Sequence, residues 1–221
     1  SLIYGSPLQV GWIRFVLGGM VTVLYMGIRK ESFKLQRYEI MPLAILGIIF
    51  STQIVFMNFG QKLTTAGHAT SLNATYPIWA AIIAHFIVPN DRLSRWRILA
   101  IVFSYLGVLA ILFGDRAVSS EGISISGDLM SLISSVLLGL RLVLISNFTQ
   151  NISVAKVMLG QLAIGTILFL AASYALESPV YSLKPSFWLA MGYQGMVIAG
   201  FGFLANAWLI QKYLPSTITF F

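Results

Sequence analysis

From residue 66 to residue 88 the chain reads AGHATSLNATYPIWAAIIAHFIV, 23 residues without an acid, a Lys or an Arg. At 1.5 Å rise per residue, a helix of that length crosses a hydrocarbon core of ~30 Å with some tilt. Backbone in hydrocarbon must satisfy its polar groups within its own segment, so the stretch is expected to be a membrane-spanning helix. Helical periodicity puts Asn73, Tyr76, Pro77, Ala80 and Ala84 on one face and Leu72, Trp79, Ile82, Ile83 and Phe86 on the other. The first face is predicted to meet protein or water, the second lipid.

Pro77 stands at the middle of this span. A proline within a helix donates no backbone hydrogen bond and crowds the carbonyl of the residue four before it, here Asn73. A carbonyl and an amide side chain are then freed together near mid-depth, where an unpaired polar group is costly. Two readings stay open. The span is a kinked packing helix whose loose carbonyl meets a nearby Ser or Thr, or it is one wall of a polar hollow of the kind that interrupted helices form in transporters.

Composition supports the membrane reading. Hydrophobic residues make up 57% of the chain and charged residues 10%, with a mean hydropathy of +0.84, whereas a soluble domain carries about 25% charged residues. The net charge of +7 comes from basic residues scattered singly or in twos and threes between apolar runs, which indicates topology rather than nucleic-acid binding. There is no Cys, which excludes a disulfide framework, a thiolate metal site and a cysteine nucleophile in this stretch.

The apolar runs predict seven spans, at about 8–28, 41–61, 66–88, 98–114, 127–148, 154–176 and 187–210. The chain opens in a turn-like stretch, and its last residues begin a further apolar segment. Alternate loops carry Arg29, Lys30, Lys34 and Arg37, then Arg92, Arg95 and Arg97, then Lys156 and Lys212; the opposite loops carry Lys62, Arg116 and Lys184. This bias puts the 29–39 and 89–97 loops in the cytoplasm, and the asparagine sequons at Asn147 and Asn151 on the same side. Residues 115–126 form the most hydrophilic loop and the natural divide.

Gly47 and Asn58, then Gln61-Lys62, recur as Gly195 and Asn206, then Gln211-Lys212. The charge count makes these two spans run in opposite directions, as two inverted halves with an odd number of helices require. The expected fold is therefore an all-α integral membrane bundle from a ten-helix protein with two inverted five-helix repeats. Here it is expected to be cut to seven helices and the start of an eighth. The first repeat would occupy 1–114 without its first helix, 115–126 would link, and the second would occupy 127–221 without its last two helices.

The residues resemble the drug/metabolite transporter superfamily, in particular its EamA-like members. The resemblance rests on Ser6-Pro7 followed by Trp12-Ile13-Arg14-Phe15, on Thr65-Ala66-Gly67 through Tyr76-Pro77-Ile78, on Asp91-Arg92-Leu93-Ser94, and on Gly107-Val108. Asp91 departs from the Glu usual in the family. The resemblance implies ten helices in two inverted repeats, cytoplasmic termini, and export or uptake of small metabolites.

All seven acids fall in loops or at span ends, which leaves no carboxylate at mid-membrane here. The substrate-cavity candidates are Asn58, Asn73, Tyr76, Pro77, Gln194 and Asn206, with Tyr76 and Trp208 as aromatic walls; Trp79 points with the lipid face and Trp12 lies near the interface. The charge or proton-coupling candidates are Arg14, His68 and His85. For each a plainer role competes: amides join helices, an intramembrane Arg snorkels, and an interfacial His is simply hydrogen-bonded. No cofactor, metal or catalytic residue is implied. The expected partners are a small-molecule substrate and the lipid bilayer, with a homodimer left open and a bacterial inner membrane as the location. Two other classes compete with a transporter: a multi-pass enzyme acting on lipid-linked substrates, and a membrane scaffold.

Overall fold

The computed structural model describes residues 6–88, 95–118, 124–177 and 185–213, with the side chains of 97, 108, 109 and 111–118 excepted. The expectations for the 91–94 loop and for part of the 115–126 divide therefore lie outside the described residues. Among the described residues the order is α1 (Pro7–Arg29), α2 (Arg37–Leu63), α3 (Ala66–Asn73), α4 (Tyr76–Ile87), α5 (Arg95–Val118), α6 (Ile125–Phe148), α7 (Val154–Leu176), α8 (Pro185–Gly192), a π-helix (Tyr193–Gly202) and α9 (Phe203–Lys212). Five helical runs among the described residues are long and apolar enough to cross a membrane: α1, α2, α6, α7 and the continuous Pro185–Lys212.

Local chemistry sets the ends. Thr65 and Ser153 cap α3 and α7, each hydroxyl accepting the backbone N–H three residues on, from His68 and Lys156. Pro7 starts α1, where its missing N–H costs nothing. The α1 amides of Leu8 and Gln9 instead reach the Glu177 carboxylate, at 3.2 and 3.3 Å. α1 stops at Lys30, which takes φ 54° while its N–H bonds Gly27 O and the N–H of Glu31 bonds Met26 O.

Two corrections to the sequence reading concern residues 66–88. The span is two helices, and Pro77 does not kink it; the break falls at Ala74–Thr75, and Pro77 sits in the first turn of α4. A proline suits a helix start, so the chain ends one helix and begins another instead of straining a single one. Leu72, expected on the lipid face, is fully buried, because the break resets the helical phase between it and Trp79. Phe86, from the same predicted face, is exposed.

The chain divides into two compact units, Ser1–Ser51 with Ile145–Lys212, and Thr52–Leu144 with Tyr213–Phe221. In the first, α1 and α7 run antiparallel: Gly11 meets the ring of Phe169, and Gly165 meets the rings of Phe15 and Phe50. The part of α2 in this unit runs alongside α7, with Leu43 against Gly160 and Gly47 against Ile164. The π-helix follows α1 in the same direction, Gly195 lying on Leu17, Ala199 on Gly18 and Gly200 on Val21. The seventh span thus runs against α2, the opposition expected of the Gly47 and Gly195 segments. The ends of α1 and α9 and the starts of α2 and α7 gather Arg29, Lys30, Lys34, Arg37, Lys156 and Lys212. There Lys156 Nζ lies 2.9 and 3.0 Å from the two oxygens of Glu39 and donates to Lys34 O.

In the second unit, α6 runs antiparallel to the end of α2, with Gly127 against Leu63 and Thr64, and Gly60 against Ser131. It runs alongside α3 and α4, Gly139 lying on Tyr76 O and Ala80, and Val143 packing with Ala80 and Ala84. Glycine is required at both meeting points, because a Cβ on Gly127 or Gly139 would fall within 2.9 Å of neighbouring backbone or Cβ atoms.

Candidate functional site

α6 is largely apolar and carries a buried polar seam. Asp128, Ser131 and Ser135 follow at steps of three and four, one helical face, with Ser134 and Arg141 beside them. All five are buried. A buried polar group must find a partner, and the partners of this seam come from the end of α2 and from the α3–α4 break.

At the centre of the seam is Ser134. Its Oγ lies 3.2 Å from Gln53 O, 3.2 Å from Asn73 Oδ1 and 3.3 Å from Gln53 Nε2. One hydroxyl proton serves one acceptor at a time, so Ser134 chooses between the α2 carbonyl and the Asn73 amide. Arg141 Nη1 donates to Gln53 Oε1 at 3.1 Å. Thr75, in the break itself, lies 2.8 Å from Ser135 Oγ and 2.7 Å from Leu72 O. Leu72 O thus accepts both the backbone N–H and the hydroxyl of Thr75, at 3.1 and 2.7 Å. The Asn73 side chain still turns into a polar cluster.

Toward the start of α6, Asp128 Oδ1 accepts from Thr64 Oγ1 at 2.9 Å and lies 3.1 Å from His68 Nδ1. This acid stands at a span end, as expected, but it is folded inward and buried. Among the described residues no group of three or more His, Cys, Asp or Glu is placed to hold a metal ion.

The predicted site residues separate by unit. Asn58, His68, Asn73, Tyr76, Pro77 and His85 belong to the second unit, Arg14, Gln194 and Asn206 to the first. Asn58 is buried on α2, Tyr76 and Pro77 are half-buried at the start of α4, and His85 is exposed beside Phe86. Arg14 is half-buried with its guanidinium 5.5 Å from the Phe15 ring, Gln194 is half-buried and Asn206 is exposed. Trp208 lines a cavity of about 410 Å³ in the first unit together with Tyr25, Arg29, Val154, Phe201, Leu204 and Ala205. Its ring faces Lys212 Nζ at 4.1 Å.

Sequence reasoning missed Asp128, Ser134, Ser135, Thr64 and Thr75. The signal was present in the helical spacing of Asp128, Ser131 and Ser135 within an apolar run.

Long apolar helices around a buried polar seam define an all-helical, multi-pass membrane protein. Residues 2–113 match the profile of the EamA-like transporter family. The chain belongs to that family, within the drug/metabolite transporters. Two relatives come from Bacillus subtilis (strain 168): the uncharacterized transporter YoaV is 20% identical over 210 residues, covering 93% of this chain and 70% of the relative, and the uncharacterized transporter YyaM is 24% identical over 208 residues, covering 91% and 67%. A crystal structure of a protein 18% identical in sequence superposes with a TM-score of 0.75, over 96% of this chain and 74% of the other. That likeness supports the all-helical fold.

Proposed function

We propose that the protein is a secondary transporter, not an enzyme, which moves small metabolites or drugs by alternating access between two inverted repeats, with export as its direction. The observation that carries this reading is the Ser134 cluster. The Ser134 hydroxyl, the Gln53 amide and Arg141 are buried together beside the half-buried Asn73 amide at a helix break, inside a chain otherwise built for lipid, and such breaks supply substrate groups in membrane transporters. The proposed cavity residues are Asn58, Asn73, Tyr76, Pro77, Gln194 and Asn206, now joined by Ser134. The proposed setting is a bacterial inner membrane with the 29–39 and 89–97 loops cytoplasmic. The clustering of Arg29, Lys34, Arg37, Lys156 and Lys212 at one end of the first unit supports that orientation.

The test is flux. Proteoliposomes holding the protein are offered a panel of radiolabelled amino acids, sugars and nucleosides, with and without a pH gradient. Movement of at least one compound is expected, and Asn73→Leu should abolish it while membrane insertion persists. A panel that yields no flux would falsify the reading; undiminished flux in Asn73→Leu would remove Asn73 from the site.

A further inference from the structure

We infer that His68, Asp128 and Thr64 form the proton-binding site that couples a pH gradient to movement of substrate, an inference that rests on the transporter reading above. The three side chains come from three elements: Thr64 follows α2, His68 lies in the first turn of α3 and Asp128 in the first turn of α6. All three are buried, and Thr64 Oγ1 and His68 Nδ1 converge on one carboxylate oxygen, at 2.9 and 3.1 Å. The charged groups on the elements around the ring, among the described side chains, are Asp128 on α6, Lys62 at the exposed end of α2, and Arg95 at the exposed start of α5, which packs against α3. The imidazole is in hydrogen-bonding contact with Asp128.

The link to substrate runs through α3. This helix has eight residues, and α6 holds it at both ends: His68 near its start by Asp128, and Asn73, its last residue, by Ser134. Imidazole is the side chain whose charge changes near neutral pH. When the imidazole–carboxylate pair takes up a proton on one side of the membrane, an N–H or O–H bond forms; when it gives the proton up on the other, that bond breaks. On uptake an O–H bond of hydronium breaks, and on release a water molecule on the other side accepts the proton. The attraction between His68 and Asp128 changes with each transfer, and a rigid helix of two turns carries that change to Asn73 and the Ser134 cluster. Proton occupancy and the geometry of the proposed cavity are thereby tied.

The test uses the protein in proteoliposomes and the compound of the amino-acid, sugar and nucleoside panel that the wild type moves. Two rates are read: accumulation driven by an imposed pH gradient, with internal pH followed by trapped pyranine, and exchange of labelled for unlabelled compound at equal pH. Asp128→Asn and His68→Gln are expected to lose accumulation and the accompanying pyranine signal while exchange persists. Accumulation at the wild-type level in Asp128→Asn overturns the inference and leaves the transporter reading standing. Loss of exchange along with accumulation in both variants, with the protein monodisperse in detergent, makes the pair a structural clasp and also overturns it. Should Asp128→Asn fail to insert, Thr64→Val decides: a shifted pH dependence of accumulation supports the site, an unshifted one sinks it. A wild type that exchanges no compound removes the transporter reading itself, and the coupling with it.

Discussion

Gly11 on α1 receives the ring of Phe169 on α7 directly against its Cα, and four residues along each helix the relation reverses, Gly165 receiving Phe15. The two rings meet edge to face, 5.1 Å between centroids. In lipid the helices gain nothing from excluding water, so close packing through small residues holds them together. A Cβ at Gly165 would stand 3.1 Å from both Phe15 and Phe50, and a larger side chain must push the rings away. Gly165→Leu is expected to cost about 1–3 kcal/mol, read as a lower thermal midpoint in detergent. Gly19 has no atom within 4 Å of where its Cβ would be, so Gly19→Ala is the control: it should hold the midpoint or raise it.

Lys30 terminates α1 in the left-handed region, at φ 54°, while its own N–H and that of Glu31 close the last turn on Gly27 O and Met26 O. Glycine is the residue that commonly fills this place, because a side chain there is strained. Lys30→Gly should therefore stabilise the protein by up to ~1 kcal/mol. A thermal midpoint below that of the wild type would mean that the Lys30 charge matters more than its backbone.

Lys156 joins the start of α7 to the start of α2. Its ammonium lies 2.9 and 3.0 Å from the Glu39 oxygens and bonds Lys34 O, and both side chains are largely shielded. Lys156→Met keeps much of the aliphatic stem but leaves a shielded carboxylate without this partner, at an expected cost of about 1–3 kcal/mol. Added salt should weaken the wild type only slightly, because the pair is poorly exposed. A midpoint that falls steeply with salt in the wild type, or not at all in Lys156→Met, would show a solvated pair of little consequence.

Much of this architecture is legible in the sequence. The spans at 8–28 and 154–176 match α1 and α7 to within a residue or two, because lipid demands long uncharged runs and their ends are marked by Ser6-Pro7, Ser153 and charge. Three features are not legible, each for a different reason. Pro77 fits a kink and a helix start equally well by sequence, and the choice is made by Thr75, whose hydroxyl reaches Leu72 O and Ser135. The π-helix at Tyr193–Gly202 has no residue signature; Gly195 and Gly200 announce a close approach, which is to α1, and not the wider turn. The spacing of Asp128 with Ser131 and Ser135 marks a shared polar face, but its pairing with His68, 60 residues away in sequence, does not show there.

Gln53 holds the seam together from α2. Its Oε1 accepts from Arg141 at 3.1 Å, its Nε2 lies 3.3 Å from Ser134 Oγ, and all three residues are buried. Gln53→Leu matches the volume but removes the acceptor facing a guanidinium, and a hydrogen bond to a charged group contributes about 1.5–3 kcal/mol. Gln53→Glu restores an acceptor for Arg141, now charge-assisted, and Ser134 can donate to the new carboxylate in place of accepting from the amide. The expected order of thermal midpoints is wild type, then Gln53→Glu, then Gln53→Leu. Flux in proteoliposomes should fall in the same order, because Ser134 Oγ loses the Gln53 Nε2 donor that helps hold it beside Asn73. If Gln53→Leu unfolds at the wild-type temperature and carries wild-type flux, Arg141 is held by other contacts and the seam does not act as a unit.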